Sequence, residues 1–221
     1  MMKTMMMSFK FNESTSMVNM NKLNDKMMMI MMMIMMMIII SMMMKKMMIN
    51  KSMMENQKLE MLWTLFPSFI IMTMSCISIP TLYMNNENKL TAISIKIMGN
   101  QWFWTYEYKN FNIKFNCYMT YKKKFNFNIM ETDNKMVIPF NTPIMLIMTS
   151  MDVIHSWTMP SMNLKVDSIP GQINSTNMQT NKLGVLNGQC SEICGVNHSF
   201  MPIMVESILM KSFIKWVKTM M

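Results

Sequence analysis

The sequence predicts a transmembrane hairpin of two helices, followed by an all-β domain built as a sandwich. Two observations support this prediction. Two long apolar segments, at residues 27–44 and 61–84, contain no acidic or basic residue. After them, residues 85–221 contain short segments in which apolar and polar residues alternate between turn-forming residues, as in half-buried strands.

The first apolar segment follows a polar arm. Residues 1–26 are rich in lysine and asparagine, and we interpret them as an exposed N-terminal arm. Residues 27–44 are methionine and isoleucine, interrupted only by Ser41. At about 1.5 Å per residue this segment spans about 27 Å, close to the hydrocarbon thickness of a bilayer. It has no polar stripe, so it is predicted to be the first transmembrane helix rather than an amphipathic surface helix.

The second apolar segment brings the chain back across the membrane. Residues 45–60 form a polar connector with four lysines, which predicts that this loop faces the positive-inside compartment. Residues 61–84 form the second predicted span, with Trp63 and Tyr83 near its two ends, where interfacial aromatic residues are common. Residues 85–221 therefore lie on the same side as the arm.

The C-terminal part is predicted to be rich in strands. Turn residues such as Asn187-Gly188 and Gly195 lie on either side of the cysteines near its end. Residues 211–221 suit a short terminal helix. Several short strands with turns between them indicate a sandwich or barrel. The predicted strands are at residues 92–97, 102–108, 125–129, 144–148 and 203–210.

The composition excludes one class of function. The net charge is +9, but all 21 basic residues are lysine. A nucleic-acid-binding protein of this charge normally uses arginine for bidentate contacts, so we predict no nucleic-acid partner. The 42 methionines and the absence of arginine indicate an AT-rich mitochondrial genome in which a codon usually read as isoleucine is read as methionine.

Side chains that bind soft metals are concentrated near the C-terminal end. Cys190, Cys194, His198 and Met201 lie within twelve positions, and His155, the other histidine of the chain, lies upstream. Thiolate, imidazole and thioether are the ligands that copper prefers, and two histidines, one cysteine and a weak methionine describe an electron-transfer copper centre.

The second cysteine changes the expected number of metal ions from one to two. Two thiolates can bridge two metal ions, with one imidazole for each ion. Met201 can be the weak outer ligand of one ion, and the backbone carbonyl of Glu192 can serve the other. Two alternatives remain open: Cys190 and Cys194 can form a disulfide, or the two cysteines and two histidines can hold zinc, although zinc has no use for the methionine.

These residues lie in segments with a specific resemblance. The metal-binding side chains occur in DVIHSW at 152–157 and GQCSEICGVNHSFMP at 188–202, and the segments WFWTYEY at 102–108, PS at 160–161 and KVDSIPG at 165–171 occur in the same order. Together with the predicted hairpin, they resemble the subunit 2 family of cytochrome c oxidases, of the mitochondrially encoded type. The resemblance covers about residues 55–221.

The resemblance implies a cupredoxin-like fold for residues 85–221 and a dinuclear copper centre. In that family two cysteines bridge the copper ions, two histidines bind terminally, and a methionine and a glutamate carbonyl complete the set. The corresponding residues here are His155, Cys190, Glu192, Cys194, His198 and Met201. The side chain of Glu192 is implied to bind magnesium shared with the catalytic subunit, with Asp167 as a neighbouring partner.

The resemblance also implies two further roles. Trp102 is the ring through which an electron enters from cytochrome c, and Glu60 lies at the mouth of a proton-uptake path. The sequence departs from the family where lysines replace the usual acids after Tyr108, at Lys109, Lys114 and residues 122–124. This departure predicts weaker or displaced docking of cytochrome c, or a less basic partner. Two smaller departures are Asn100 and Gln172, where histidine and arginine are usual.

The implied function is electron transfer within a respiratory oxidase. The chain accepts electrons from cytochrome c and passes them to haem in the catalytic subunit, where oxygen is reduced and protons are pumped. Its implied partners are cytochrome c, catalytic subunit 1, other oxidase subunits and membrane lipid. The implied location is the mitochondrial inner membrane, with the 45–60 loop in the matrix, and with residues 85–221 and both termini in the intermembrane space.

Three other interpretations are weaker. A membrane-anchored copper-delivery protein usually has one span and an α/β pattern, and lacks a second histidine in the loop. A structural zinc domain on a membrane hairpin would differ in metal identity. A soluble relative of the nitrous oxide reductase type would lack the hairpin.

Overall fold

The computed structural model describes residues 13–45, 56–86, 90–121 and 129–221. The described residues form two compact units. One contains the long apolar helices from Asn19 onward, and the other contains the β domain together with residues 13–18.

The two predicted spans are helices, α1 at Thr15–Lys45 and α2 at Gln57–Asn86. Both are long and apolar enough to cross a membrane, with mean hydropathies of 2.5 and 1.7. Their apolar side chains are largely exposed, for example Met29 at 67% and Trp63 at 57%. Such a surface requires lipid or another protein to cover it.

Helix α1 begins twelve residues before the predicted span. Ser14 caps it, because its Oγ accepts a hydrogen bond from the Met17 amide at 3.1 Å. Residues 15–26 contain no proline or glycine, so the helix continues through this polar segment. A helix of 31 residues is about 46 Å long, longer than the hydrocarbon layer, so part of it extends beyond the membrane.

The N-terminal segment is attached to the β domain rather than free in solvent. The Glu13 carbonyl accepts a hydrogen bond from the Asn181 amide at 2.7 Å. Ser14 is 4% exposed, and its Oγ donates to the Met162 carbonyl at 2.9 Å. The expectation of an exposed arm therefore does not describe Glu13 and Ser14, because both have partners within the domain.

Helix α2 begins four residues before the prediction, because Asn56 Oδ1 accepts a hydrogen bond from the Leu59 amide at 3.2 Å. Pro67 and Pro80 lie inside the helix, which continues through both. Residues 46–55 lie outside the described residues, and with them most of the predicted 45–60 connector.

Ten described strands form a sandwich of two five-stranded sheets, which confirms the predicted fold class. The strands are β1 Ile93–Asn100, β2 Phe103–Tyr108, β3 Ile113–Cys117, β4 Met136–Pro139, β5 Ile144–Ser150, β6 His155–Met159, β7 Leu164–Ser168, β8 Asn174–Met178, β9 Gly184–Cys190 and β10 Pro202–Ile208. One sheet has the order β3-β2-β1-β5-β8, and the other has the order β4-β10-β9-β6-β7.

Alternation along the strands builds the core between the sheets. Ile95, Leu146 and Met148 are fully buried on the paired strands β1 and β5. Trp157 on β6 is also fully buried, and its Nε1 donates to the Tyr106 hydroxyl at 3.3 Å. A terminal helix, α3 at Met210–Met220, buries Phe213 and Val217 against this core, close to the predicted 211–221.

Two local predictions had different outcomes. The strand expected at 125–129 falls mostly outside the described residues. The turn expected at Asn187-Gly188 is wrong, because both residues lie inside β9. A Cβ atom at Gly188 would lie 2.0 Å from the Thr158 carbonyl oxygen, so the glycine allows β9 to approach β6 closely.

Candidate metal centre

Strand pairing brings the two halves of the predicted site together. His155 is the first residue of β6, and Cys190 is the last residue of β9. These strands are antiparallel neighbours, with Trp157 opposite Cys190. His155 and Cys190 therefore lie at the same end of one sheet, and the loop that follows Cys190 returns to this end before β10 begins.

The predicted ligand atoms converge in one cluster. One atom each of His155, Cys190 and Cys194 lie within 4.8 Å of one another. Cys190 Sγ is 3.9 Å from His155 Nδ1 and 3.4 Å from the Glu192 carbonyl oxygen.

Cys194 joins the remaining two ligand residues to this cluster. Its Sγ is 3.4 Å from His198 Nδ1 and also 3.4 Å from Met201 Sδ. All six residues named from the sequence therefore contribute an atom to one place.

The two thiols differ in how readily they ionise. Burial and the neighbouring Cys190 raise the pKa of Cys194 to about 12. Burial also opposes ionisation of Cys190, but hydrogen bonds with His155 and with the backbone of Ser156 and Glu192 outweigh it and lower its pKa. The lowered pKa of Cys190 favours its thiolate form, whereas binding of a metal to Cys194 must displace the thiol proton.

The donor set fits copper. Cys190 and Cys194 are free thiols, so the structure does not adopt the disulfide alternative. Both are buried, and so is Met201, which is 2% exposed with its sulfur in contact with Cys194. Two thiolates, two imidazoles and a thioether are soft donors that suit copper, and zinc would leave the thioether without a role.

Asp152, which the sequence reasoning did not single out, contacts the predicted ligand His155. Its Oδ1 lies 2.9 Å from His155 Nε2 and accepts the Val153 amide at 2.6 Å. Its Oδ2 accepts the Gln101 amide at 2.6 Å. Burial disfavours its ionised form, but these hydrogen bonds outweigh burial and hold its pKa below the ordinary aspartate range. The signal was an aspartate three residues before a ligand histidine, since such histidines commonly donate to a carboxylate.

Trp102 lies against the ligand loop. Gly195, which directly follows Cys194, has a φ of +129°, and a Cβ there would lie 3.1 Å from Trp102 Cζ2. The indole is half-buried rather than fully exposed, and its Nε1 is buried with no hydrogen-bond partner among the described residues. The Gln101 side chain donates from Nε2 to the Cys194 carbonyl at 2.8 Å.

The other predicted residues lie outside the cluster. The Glu192 side chain is exposed and makes no hydrogen bond or ion pair with the described part of the chain. Asp167 lies opposite Ser156, whose carbonyl accepts the Ser191 amide at 3.0 Å, so Asp167 and Glu192 are on neighbouring segments. Glu60 lies in the first turn of α2, in the helical unit.

Two departures from the family pattern have ordinary local roles. Asn100 donates from Nδ2 to Thr105 Oγ1 at 3.1 Å. Gln172 is exposed and donates to Asn174 Oδ1 at 3.0 Å.

Family comparisons match nearly the whole chain. The profile described as cytochrome c oxidase subunit II, periplasmic domain, matches residues 93–208, and that of its transmembrane domain matches residues 2–81. The chain belongs to the cytochrome c oxidase subunit 2 family. It is thus a subunit of an oxidoreductase, and a membrane protein with two transmembrane-type helices.

Curated members of the subunit 2 family have similar sequences. Cytochrome c oxidase subunit 2 of Apis mellifera ligustica is 48% identical over 170 residues, which cover 76% of each chain. That of Ctenocephalides felis is 43% identical over 174 residues, which cover 77% of each chain.

Solved subunit II domains have a similar fold. The periplasmic domain of subunit II from Bradyrhizobium japonicum has a TM-score of 0.57 and 38% identity, covering 60% of this chain and 95% of that one. The same kind of domain, in a mixed-disulfide intermediate with a thioredoxin-like protein, has a TM-score of 0.55 and 36% identity, covering 62% and 95%.

Proposed function

We propose that this chain accepts electrons from cytochrome c at a dinuclear copper centre and passes them to haem in the catalytic subunit. Oxygen is reduced to water in that subunit, with coupled proton pumping. The observation that carries the proposal is the convergence of the donor groups: Cys190 lies beside His155, Cys194 lies beside His198 and Met201, and one atom each of His155, Cys190 and Cys194 lie within 4.8 Å of one another.

The contacts support the predicted set of ligands. Cys190 and Cys194 would hold the two copper ions together with His155, which lies beside the first thiol, and His198, which lies beside the second. Met201 and the Glu192 carbonyl would be the weak outer ligands. When bound, the copper pair supplies a one-electron carrier whose charge is shared by two ions, which lowers the reorganisation that electron transfer requires.

The β sandwich contributes rigidity to this process. His155 and Cys190 are fixed at the ends of paired strands, and Met201 immediately precedes β10. Protein interiors packed in this way resist displacement, so the ligands keep their positions when the charge changes.

Trp102 is the proposed entry point for the electron. Two observations support this role: its ring lies close to Gly195, next to the proposed ligand Cys194, and Trp102 is only half-buried, so part of the residue reaches solvent. An electron donor that docks over the exposed part of Trp102 is separated from the ligand loop by this one indole ring.

Docking of cytochrome c is proposed to depend little on charge. Glu107 pairs with Lys109 at 2.7 Å, which neutralises one of the acids available to a basic partner. The positive charges of Lys96 and Lys114 also lower the pKa of Glu107. Residues 122–124, three further lysines, lie outside the described residues.

The side chain of Glu192 is the proposed magnesium ligand, at a contact shared with the catalytic subunit. Its carboxylate is exposed and unpaired with the described part of the chain, as a site completed by another subunit requires. Magnesium takes few protein ligands and keeps several waters, so one carboxylate suffices. Asp167, on the neighbouring segment, is proposed to orient those waters.

The helical unit is proposed to hold the chain in the mitochondrial inner membrane. Residues 27–44 and 61–84 span it, the 45–60 loop faces the matrix, and residues 1–26 and the copper domain at 85–221 lie in the intermembrane space. Glu60 lies in the first turn of α2 and is proposed to mark the mouth of a proton-uptake path. Other oxidase subunits and lipid cover the exposed helices.

The deciding experiment measures metal content and electron paramagnetic resonance (EPR) on the assembled oxidase that contains this chain. We expect two coppers for this subunit, sharing one unpaired electron when oxidised. A single-ion copper spectrum would favour a delivery protein or a damaged site, and zinc without copper would favour a structural domain.

A further inference from the structure

We propose that Asp152 and Gln101 form a hydrogen-bonded link that positions the copper ligand His155 and the entry residue Trp102 relative to each other. This proposal rests on the proposed function, because it assumes both the copper centre and electron entry at Trp102. It assigns Asp152 a positioning role at the centre in place of a role as a surface charge.

The two carboxylate oxygens of Asp152 serve two different segments. Oδ1 lies 2.9 Å from His155 Nε2 and accepts the Val153 amide at 2.6 Å, so it is directed to the segment that carries the ligand. Oδ2 accepts the Gln101 amide at 2.6 Å, so it is directed to the segment that carries Trp102.

The contact with His155 determines which ring nitrogen is free. His155 is fully buried, and its Nε2 faces the Asp152 carboxylate, so in the neutral form of the ring that binds a metal the single proton lies on Nε2. Nδ1, which faces Cys190 Sγ at 3.9 Å, then keeps its lone pair for a metal. A carboxylate behind a ligand histidine fixes both tautomer and ring orientation.

The contacts of Gln101 extend the link to the ligand loop. Its backbone is held by Asp152, and its Nε2 donates to the Cys194 carbonyl at 2.8 Å across 93 positions of sequence. A Cβ at Gly195 would lie 3.2 Å from Gln101 Nε2 and 3.1 Å from Trp102 Cζ2, so the amide and the indole share one side of the loop. Asp152 is thus joined to one terminal ligand directly and to one bridging ligand through Gln101.

Two kinds of change distinguish positioning from charge. Asp152→Asn keeps the size of the side chain but leaves one acceptor oxygen in place of two. That oxygen cannot serve both the His155 segment and the Gln101 amide. Gln101→Met keeps every acid and every ligand but removes the donor to Cys194. Matched controls are Glu206→Gln, which removes one acid that pairs with Lys135, and Gln179→Met, whose amide contacts Asn141.

The experiment uses the assembled oxidase with each variant. It measures copper content, the EPR spectrum, the reduction potential of the copper centre, and kcat and KM for cytochrome c at two salt concentrations. We expect Asp152→Asn to lower copper affinity 10- to 100-fold and to alter the EPR spectrum, as loss of such a partner does. We expect Gln101→Met to lower kcat at least threefold with an unchanged KM, and both controls to match the unaltered enzyme.

The outcomes separate this proposal from the function on which it rests. If the unaltered enzyme lacks the two-copper signal, the proposed function fails. If that signal is present but Asp152→Asn changes only KM, with an effect that salt removes, Asp152 is a docking charge and the positioning role is overturned. If Asp152→Asn does not assemble, Gln101→Met decides, and an unchanged kcat there overturns the link.

Discussion

The β domain and the membrane helices use similar apolar residues in opposite ways. In the domain, Met148 and Met159 are fully buried by their own chain, whereas Met29 and Met43 on α1 are 67% and 68% exposed. The domain therefore derives its stability from internal packing, and the helices depend on lipid or other subunits for theirs. A methionine-rich helix can be covered by many surfaces, but the proposed copper ligands require a frame that the domain builds for itself.

The sharpest test of this comparison uses two cysteines. We expect Cys194→Ser to abolish the two-copper EPR signal and to lower electron transfer from cytochrome c more than 100-fold, because the Cys194 thiol lies among four proposed ligands. Cys76→Ser on the exposed face of α2 should leave both unchanged. Equal losses in both variants would contradict the division between the two regions.

Two leucines test the packing difference. Leu146 is fully buried in the sandwich, and Leu82 on α2 is 59% exposed. Leu146→Ala should lower the free energy of unfolding of the domain by about 2–5 kcal/mol, because it creates a cavity. Leu82→Ala should leave that free energy within about 0.5 kcal/mol. Thermal unfolding of the full chain in detergent, followed by the β-sheet circular dichroism signal, measures both changes.

A smaller effect is expected where β9 passes β6. Gly188→Ala places a methyl group against the Thr158 carbonyl, so the strands must separate, at a cost of about 1–3 kcal/mol in the free energy of unfolding. Ser207→Ala on β10 is not a matched control, because Ser207 shares a hydrogen bond with Thr180. Val185→Ala in β9 is the better control, since Val185 is exposed and should change little.

The smallest effect is expected at one surface ion pair of the domain, between Lys109 and Glu107. The hydrogen bond and charge of Lys109 lower the pKa of Glu107, so the pair stabilises the folded state at neutral pH. The stabilisation is lost as pH falls through the folded pKa of Glu107, which lies below the ordinary glutamate value. Glu107→Gln should cost less than about 1 kcal/mol at pH 7 and nothing at pH 2. If Glu107→Gln lowered the free energy of unfolding by the same amount at pH 7 and at pH 2, the pair would not act through charge.

The ligands could be read from the sequence because their chemistry is local. Cys190, Cys194, His198 and Met201 share one loop, so their spacing alone indicates a soft-metal site. His155 could be added as the only other histidine of the chain, and the pairing of β6 with β9 supplies the physical reason that it lies beside the loop. The sequence pattern did not indicate the link between Asp152 and Gln101, because it depends on which segments meet at the end of the sandwich.

Local pattern alone determined the two apolar helices, the alternating strands and the identity of the donor atoms, because these depend on side chains a few positions apart. Tertiary structure decided three other features. Gly188 lies in a strand at the point where the Thr158 carbonyl approaches it closely. Residues 13 and 14 attach to the domain through carbonyl and amide groups that are distant in sequence. Asp152 joins His155 to Gln101. Each depends on groups far apart in sequence, whose meeting is set by strand order and register rather than by neighbouring residues.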